Sequence, residues 1–163
     1  MNVSHMQMQQ DLVRPFVEGV RSTMSTMAGL EPVERCVEIA ETGRFHGDIT
    51  ALMGLTGKSG EGFVGITLES SLAQLVVSKI LGLDPGELEP IDITDGVGEL
   101  INMIAGTAKS ILNGTQYQFN CALPNVITGP GHEVGYPKDA GHWRITLELE
   151  GKPLHLHVVY ARK

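Results

Sequence analysis

The sequence is poor in cysteine, in aromatic residues and in positive charge. Its 163 residues include 2 cysteines, and aromatic residues make up 5% of the chain. Cys36 and Cys121 stand far apart without a CxxC spacing, so we expect free, buried thiols in a reducing cytoplasm rather than a disulfide framework. The net charge of −7, with Lys and Arg scattered, argues against nucleic-acid binding and against binding to an anionic membrane surface.

Long apolar runs are also missing. The most apolar run, LAQLVVSKILGL at 72–83, is short and is interrupted by Lys79, so it cannot span a bilayer. Residues 1–16 contain no positively charged segment followed by an apolar stretch, and we expect no signal peptide. The length suits one domain with a real core, and we predict a single cytoplasmic domain over 1–163.

The apolar pattern predicts helices and strands in a repeating order. A helix at 11–30, with Phe16, Val20, Met24 and Met27 at helical spacing, precedes three strand-like runs at 33–41, 48–56 and 62–69. Helices at 70–83 and 95–112 follow, and then strand-like runs at 117–128, 142–150 and 153–161. We predict an α+β fold with internally duplicated helix-plus-three-strand units, roughly 8–82 and 92–163, and an antiparallel-rich sheet of about six strands covered by long helices.

The last two strand-like runs alternate cleanly between apolar and polar residues. EGKP at 150–153 separates them and predicts a hairpin turn. One face of each strand is therefore expected to be buried: Trp143, Ile145, Leu147 and Leu149 in the first, and Leu154, Leu156, Val158 and Tyr160 in the second.

Two segments imitate binding motifs. Gly57-Lys58-Ser59 resembles the end of a phosphate-binding loop, but Leu52 stands where the first glycine belongs and a strand follows where a helix is needed. We predict a hairpin turn there. His155 and His157 share a strand face and could bind a metal with His142 or His132, but no acidic or Cys ligand has a typical spacing, so a polar sheet face at a rim or subunit contact is favoured.

The segment DGVGELINMIAGTAKSIL at 95–112 predicts an amphipathic helix with an unusual outer face. At about 100° per residue, Asp95, Glu99, Asn102 and Gly106 fall within an arc of roughly 60°, and we call these four residues the acidic stripe. Neither Glu99 nor Asn102 has Lys or Arg four residues downstream. From spacing alone, a solvated face and a contact surface both remain open. The opposite face carries Val97, Leu100, Ile101, Ile104, Ala108 and Ile111.

DGVGELINMIAG at 95–106 resembles the signature of the CheC/CheX family of chemotaxis phosphatases. In that signature Asp or Ser is followed after three residues by Glu, and after two more by Asn. LPNVITGPGH at 123–132 and GITLESSLAQLVVSKILGL at 65–83 resemble the family's flanking segments, so the likeness covers essentially the whole chain.

The resemblance implies hydrolysis of the aspartyl phosphate on a CheY-like response regulator in chemotaxis or two-component signalling. Glu99 and Asn102 occupy the matching catalytic positions, Asp95 matches the leading acid, and small Gly106 leaves room for close approach. Asn102 would orient the attacking water, and Glu99 would pair with the regulator's lysine, because phosphoryl transfer depends mostly on positioning and charge stabilisation. No cofactor or metal of its own is expected, since magnesium would sit on the regulator.

The first predicted helix lacks a second such pair. Aligned by apolar faces, Pro15 meets Glu99 and Glu18 meets Asn102, which points to the single-site, CheX-like pattern and, through the resemblance, to a homodimer. The alternative is a non-catalytic module that binds and sequesters a response regulator, and the intact Glu99/Asn102 pair favours catalysis.

Overall fold

A long helical segment opens the chain and lies on one face of an antiparallel sheet. The computed structural model describes residues 3–163. Two α-helices, α1 (Val3–Met8) and α2 (Arg14–Thr23), are each followed by a single π-helical turn, Gln9–Val13 and Met24–Ala28. Gly29 ends the segment with a φ of 64°, a left-handed conformation that glycine adopts without strain.

Two further helices cross the same face of the sheet. Helix α3 spans Ser70–Leu81 and ends at Gly82, again in the left-handed conformation. A short 3₁₀ turn, Pro85–Glu87, leads to α4, Pro90–Leu112. Helix α4 begins earlier than predicted because Pro90 suits the first helical position and Glu89 and Asp92 cap each other's backbone N–H groups. In the described part of the chain, no helix has the length and apolar character needed to cross a membrane.

The sheet has seven strands, and every pairing is antiparallel. Its order is β1-β6-β7-β3-β2-β4, and β5 also pairs with β2. The strands are β1 (Val33–Ile39), β2 (Arg44–Gly57), β3 (Gly60–Leu68), β4 (Phe119–Cys121), β5 (Asn125–Gly135), β6 (Gly141–Leu149) and β7 (Lys152–Arg162).

The predicted α+β fold, an antiparallel sheet of about six strands covered by helices, is confirmed, and the sheet has seven strands. The run 117–128 holds two strands, β4 and β5, because the chain leaves the ladder around Pro124, which has no N–H to donate. Both strands pair with β2, β4 near its C-terminal end and β5 along its N-terminal part. The duplicated units at 8–82 and 92–163 stay a prediction.

The main core lies between the helices and the sheet. The eight alternating residues of β6 and β7, from Trp143 to Tyr160, are all buried there as predicted, and the EGKP turn forms the β6–β7 hairpin with Glu150 and Gly151 at positive φ. Two expected core residues are instead part-exposed. Ile111 is 48% exposed because Leu112 takes the buried place in the last turn of α4, and Met27 is 38% exposed.

Both cysteines are free, as expected, but the prediction that they are buried is wrong. Cys36 lies on β1, at one edge of the sheet, and Cys121 lies on the short strand β4 at the other. Edge strands have neighbours on one side only, so neither thiol is covered. Partial desolvation still raises the pKa of the Cys121 thiol above its usual value.

Candidate functional site

Helix α4 is held between α2 and α3 by two close glycine contacts. A Cβ at Gly19 of α2 would lie 2.5 Å from the Ile104 carbonyl oxygen, and a Cβ at Gly96 of α4 would lie 2.7 Å from a methyl of Val77 on α3. At both places the helices pack more closely than any larger residue would allow. Helix α4 is therefore closely packed between its two neighbours, and its outer face is open to a partner.

The four residues of the acidic stripe all lie on this exposed outer face. The Asn102 amide Nδ2 donates to Glu99 Oε2 across 3.4 Å, one helical turn away. Among residues 3–163, neither Asp95 nor Glu99 forms an ion pair. A Cβ at Gly106 would meet nothing within 4 Å, so the surface one turn beyond Asn102 is open to solvent. The structure thus brings all four predicted residues onto one accessible face, and their catalytic role stays a prediction.

Two shallow grooves flank the acidic stripe. One, of about 400 Å³, lies between α4 and the ends of α3 and of the N-terminal helical segment, and it is lined by Met27, Ile80, Leu81, Asp92, Asp95, Gly96, Glu99, Leu100 and Met103. We call it the α3 groove. The other, of about 370 Å³, lies on the α2 side and is lined by Ser22, Thr23, Thr26, Met103, Gly106, Thr107 and Ser110.

The α3 groove was not predicted from the sequence. Met27 was expected in the core, and Leu81 was not expected at a site. The signal available was that each apolar residue stands one or two positions before a helix-ending glycine, Gly29 or Gly82.

The acidic stripe offers a carboxylate and an amide but no nucleophile. An exposed carboxylate without a cationic partner is an acceptor for an incoming ammonium or guanidinium group. A neutral amide one turn away can accept from a water and donate to an oxygen without acting as a base. This pair can therefore bind and orient, while the reactive groups come from a partner.

Three of the four histidines considered as metal ligands, His132, His142 and His157, belong to one hydrogen-bonded network. His142 Nε2 lies 3.0 Å from His157 Nδ1, and His157 Nε2 lies 3.2 Å from Thr67 Oγ1. His155 stands apart, 3.1 Å from Thr146 Oγ1. Within 3–163, no group of three or more His, Cys, Asp or Glu side chains is arranged to hold a metal ion.

The network continues at both ends. Tyr136 Oη lies 2.7 Å from His142 Nδ1. At the other end Thr67 Oγ1 lies 3.1 Å from Thr50 Oγ1, Thr50 Oγ1 lies 2.7 Å from His132 Nε2, and His132 Nδ1 lies 2.9 Å from the Gly129 carbonyl. We call this sequence of groups, from Tyr136 to Gly129, the histidine chain. It lies on the sheet face opposite the helices.

The N-terminal end of β2 and the C-terminal half of β5 cover the histidine chain. A register shift at Gly47–Ile49 interrupts the β2–β5 ladder, and a Cβ at Gly47 would lie 2.4 Å from the Thr67 methyl. The Phe45 ring stacks on the His157 ring, with 3.8 Å between the two ring centroids. Burial lowers the pKa of His142 to about 4 and that of His157 well below its usual value, so both rings are neutral near pH 7.

The hairpin turn predicted at 57–59 is confirmed. Lys58 and Ser59 connect β2 to β3, and Ser59 Oγ donates to the Gln116 carbonyl. On α2, Pro15 is buried and Glu18 is exposed. That helix therefore carries no acid–amide pair comparable to Glu99 and Asn102.

A family model described as "Chemotaxis phosphatase CheX" matches residues 49–148, a range that includes the acidic stripe. No curated protein matches the chain. Solved structures do match it. The chemotaxis protein CheX from Desulfovibrio desulfuricans is 28% identical, with a TM-score of 0.81 over 93% of this chain and 99% of that one. A CheC-like superfamily protein from Shewanella sp. PV-4 is 27% identical, with a TM-score of 0.84 over 99% of both chains.

A more distant structure contains a bound partner. It is a CheX–CheY–BeF3–Mg²⁺ complex from Borrelia burgdorferi, 20% identical, with a TM-score of 0.71 over 92% of this chain and 97% of that chain. At this identity the likeness extends to the fold alone.

Proposed function

The chain belongs to the CheX family of chemotaxis phosphatases, and we propose that it hydrolyses the aspartyl phosphate of a CheY-like response regulator. The observation that carries the proposal is the exposed Glu99–Asn102 pair, one turn apart on a helix fixed between two others. Its spacing matches the family signature, and its chemistry suits a reaction whose phosphate and metal ion are both on the partner.

Each residue of the acidic stripe has a distinct proposed role. Asn102 orients a water in line with the phosphorus, a task of positioning that needs no base. Glu99 pairs with the lysine beside the phosphorylated aspartate and fixes the register of the two proteins. Asp95 adds attraction for that basic site, and Gly106 allows the regulator's backbone to approach α4 closely. Magnesium bound to the regulator would supply charge neutralisation at the transferred phosphoryl group, and we expect this chain to need no cofactor of its own.

The test is phosphate release from each response regulator of the source organism, with this protein in catalytic amounts. Asn102→Ala should lower turnover on the order of 10²-fold, because a misplaced water costs about that much, while the affinity for the regulator changes little. Asn120→Ala removes another exposed amide, on β4, and should leave turnover unchanged. Near wild-type turnover in Asn102→Ala at saturating regulator would remove the role proposed for it.

Glu99 should act mainly on binding. Docking desolvates both Glu99 and the regulator's lysine, so Glu99→Ala leaves one charge buried and unpaired, at a cost of about 2–5 kcal/mol in affinity. Glu18→Ala is the matched control, since Glu18 is an exposed helical acid on α2. If Glu99→Lys binds the phosphorylated regulator as tightly as the wild type, the acidic stripe is only a solvated helix face.

The same assay separates catalysis from sequestration. A binding module protects or occupies the regulator in proportion to its own concentration, whereas a phosphatase releases many phosphates per chain. The intact Glu99–Asn102 pair favours the enzyme.

We also propose a cytoplasmic homodimer. Response regulators work in the cytoplasm, and the sheet has open edges at β1 and β4 that could extend across a two-fold axis.

A further inference from the structure

The α3 groove is an apolar depression with two acids on its rim, directly beside the proposed catalytic pair. We infer that it receives an apolar side chain that stands next to a lysine or arginine on the surface surrounding the regulator's phosphorylated aspartate. The inference rests on the proposed function and extends it, because it assigns part of the partner specificity to residues outside the acidic stripe.

The ends of two helices supply apolar side chains to the groove. Met27 is 38% exposed and Leu81 is 49% exposed, and both line the groove together with Ile80 and Met103. The left-handed glycines Gly29 and Gly82 end the two helical segments immediately afterwards, and both side chains stay partly exposed. Single exposed apolar residues are ordinary, but several around one depression form a site that an apolar group stabilises by entering.

Helix α4 supplies the charged side chains on the rim of the groove. Asp95 and Glu99 have no ion-pair partner in residues 3–163, and the lining contains no Lys, Arg or His. Asp92 also lines the groove, but its carboxylate already accepts from the Glu89 N–H at 2.9 Å. Two unpaired carboxylates beside an apolar floor complement an apolar side chain flanked by a cation, and they exclude an acidic partner surface.

The groove lies beside the proposed catalytic pair but does not include the water-orienting amide. Glu99 lines the groove and also accepts from Asn102, so an occupant of the groove is anchored one helical turn from the water-orienting amide. The thioethers of Met27 and Met103 adapt to side chains of different shape. The groove should therefore affect KM rather than the chemical step.

The test compares Leu81→Ser with Leu83→Ser. Leu83 is 41% exposed, almost as much as Leu81, but does not line the groove. The probe is the source organism's CheY-like regulators activated with beryllofluoride and magnesium for titrations, and the same regulators phosphorylated for kinetics. Leu81→Ser should raise Kd and KM about 10-fold, because lost apolar contacts in a pocket cost on that order, and should leave kcat within about twofold. Leu83→Ser should match the wild type. Met27→Ser should repeat the Leu81→Ser result, which guards against a local folding defect in α3.

The outcomes separate this inference from the proposed function. If both groove variants bind as tightly as the wild type while Asn102→Ala is inactive, the groove inference is wrong and the phosphatase stands. If the wild type binds without turnover and Leu81→Ser weakens that binding, the groove is supported and the phosphatase is wrong. If no regulator binds, both are overturned.

Discussion

The histidine chain should make the folded protein lose stability between pH 7.5 and pH 5. The pKa of His142 falls from 6.5 to about 4 on folding because burial disfavours the charged ring, and the nearby Arg144 guanidinium acts in the same direction. In this pH range the His142 ring therefore binds a proton in the unfolded chain but not in the folded chain. Stability is fully present above pH 6.5 and is lost as the pH falls toward 4.

The magnitude follows from that pKa difference. Each tenfold change in proton affinity corresponds to about 1.4 kcal/mol, so His142 alone should remove about 2 kcal/mol between pH 7.5 and pH 5. His157 shifts in the same direction through burial and through its neighbours His142 and His155. It adds to the loss. The carboxylates with lowered pKa values, such as Glu34 beside Arg14, titrate at lower pH and contribute little in this window.

The assay is urea unfolding at several pH values between 7.5 and 5. In His142→Gln the side-chain amide can keep one donor and one acceptor for its neighbours but does not titrate, so the fall in unfolding free energy should shrink by about 2 kcal/mol. An unfolding free energy that does not fall in the wild type, or that falls equally in His142→Gln, would refute the reasoning.

Three further predictions concern packing, docking and assembly. Gly19→Ala should destabilise by about 1–3 kcal/mol, because the new Cβ meets the Ile104 carbonyl oxygen, whereas Gly106→Ala should stabilise by about 0.5–1 kcal/mol; equal melting temperatures for the two would contradict the close helix contact. Gly106→Trp should keep the fold but weaken regulator binding in a titration, and unchanged affinity would place the docking surface elsewhere. Light scattering should give twice the monomer mass, and a monomer at working concentration would remove the dimer.

The sequence predicts those features whose signal lies in residues close together along the chain. Alternation in β6 and β7 is a property of neighbouring residues, and so is the placement of Glu99 and Asn102 on one face of α4. Both were predictable. The α3 groove is not local, since Met27, Leu81 and Met103 come from three separate helices. The cover that the N-terminal end of β2 forms over His157 depends on a pairing with β5 far along the chain. The strand-like run predicted at 117–128 ended before the Gly-Pro-Gly at 129–131, which β5 includes.

The Gly129 carbonyl sets a direction for the whole histidine chain. A carbonyl only accepts, so in its neutral form His132 carries its proton on Nδ1 and accepts on Nε2 from Thr50. Thr50 Oγ1 then accepts from the Thr67 hydroxyl, and Thr67 Oγ1 accepts from Nε2–H of His157. His157 Nδ1 accepts from Nε2–H of His142, and His142 Nδ1 accepts from the Tyr136 hydroxyl. One backbone oxygen thus selects the tautomer of three imidazoles on three different strands. Thr50→Val would therefore allow His157 and His142, which do not contact Thr50, to adopt the opposite tautomer. The nitrogen chemical shifts of His142 would detect that change.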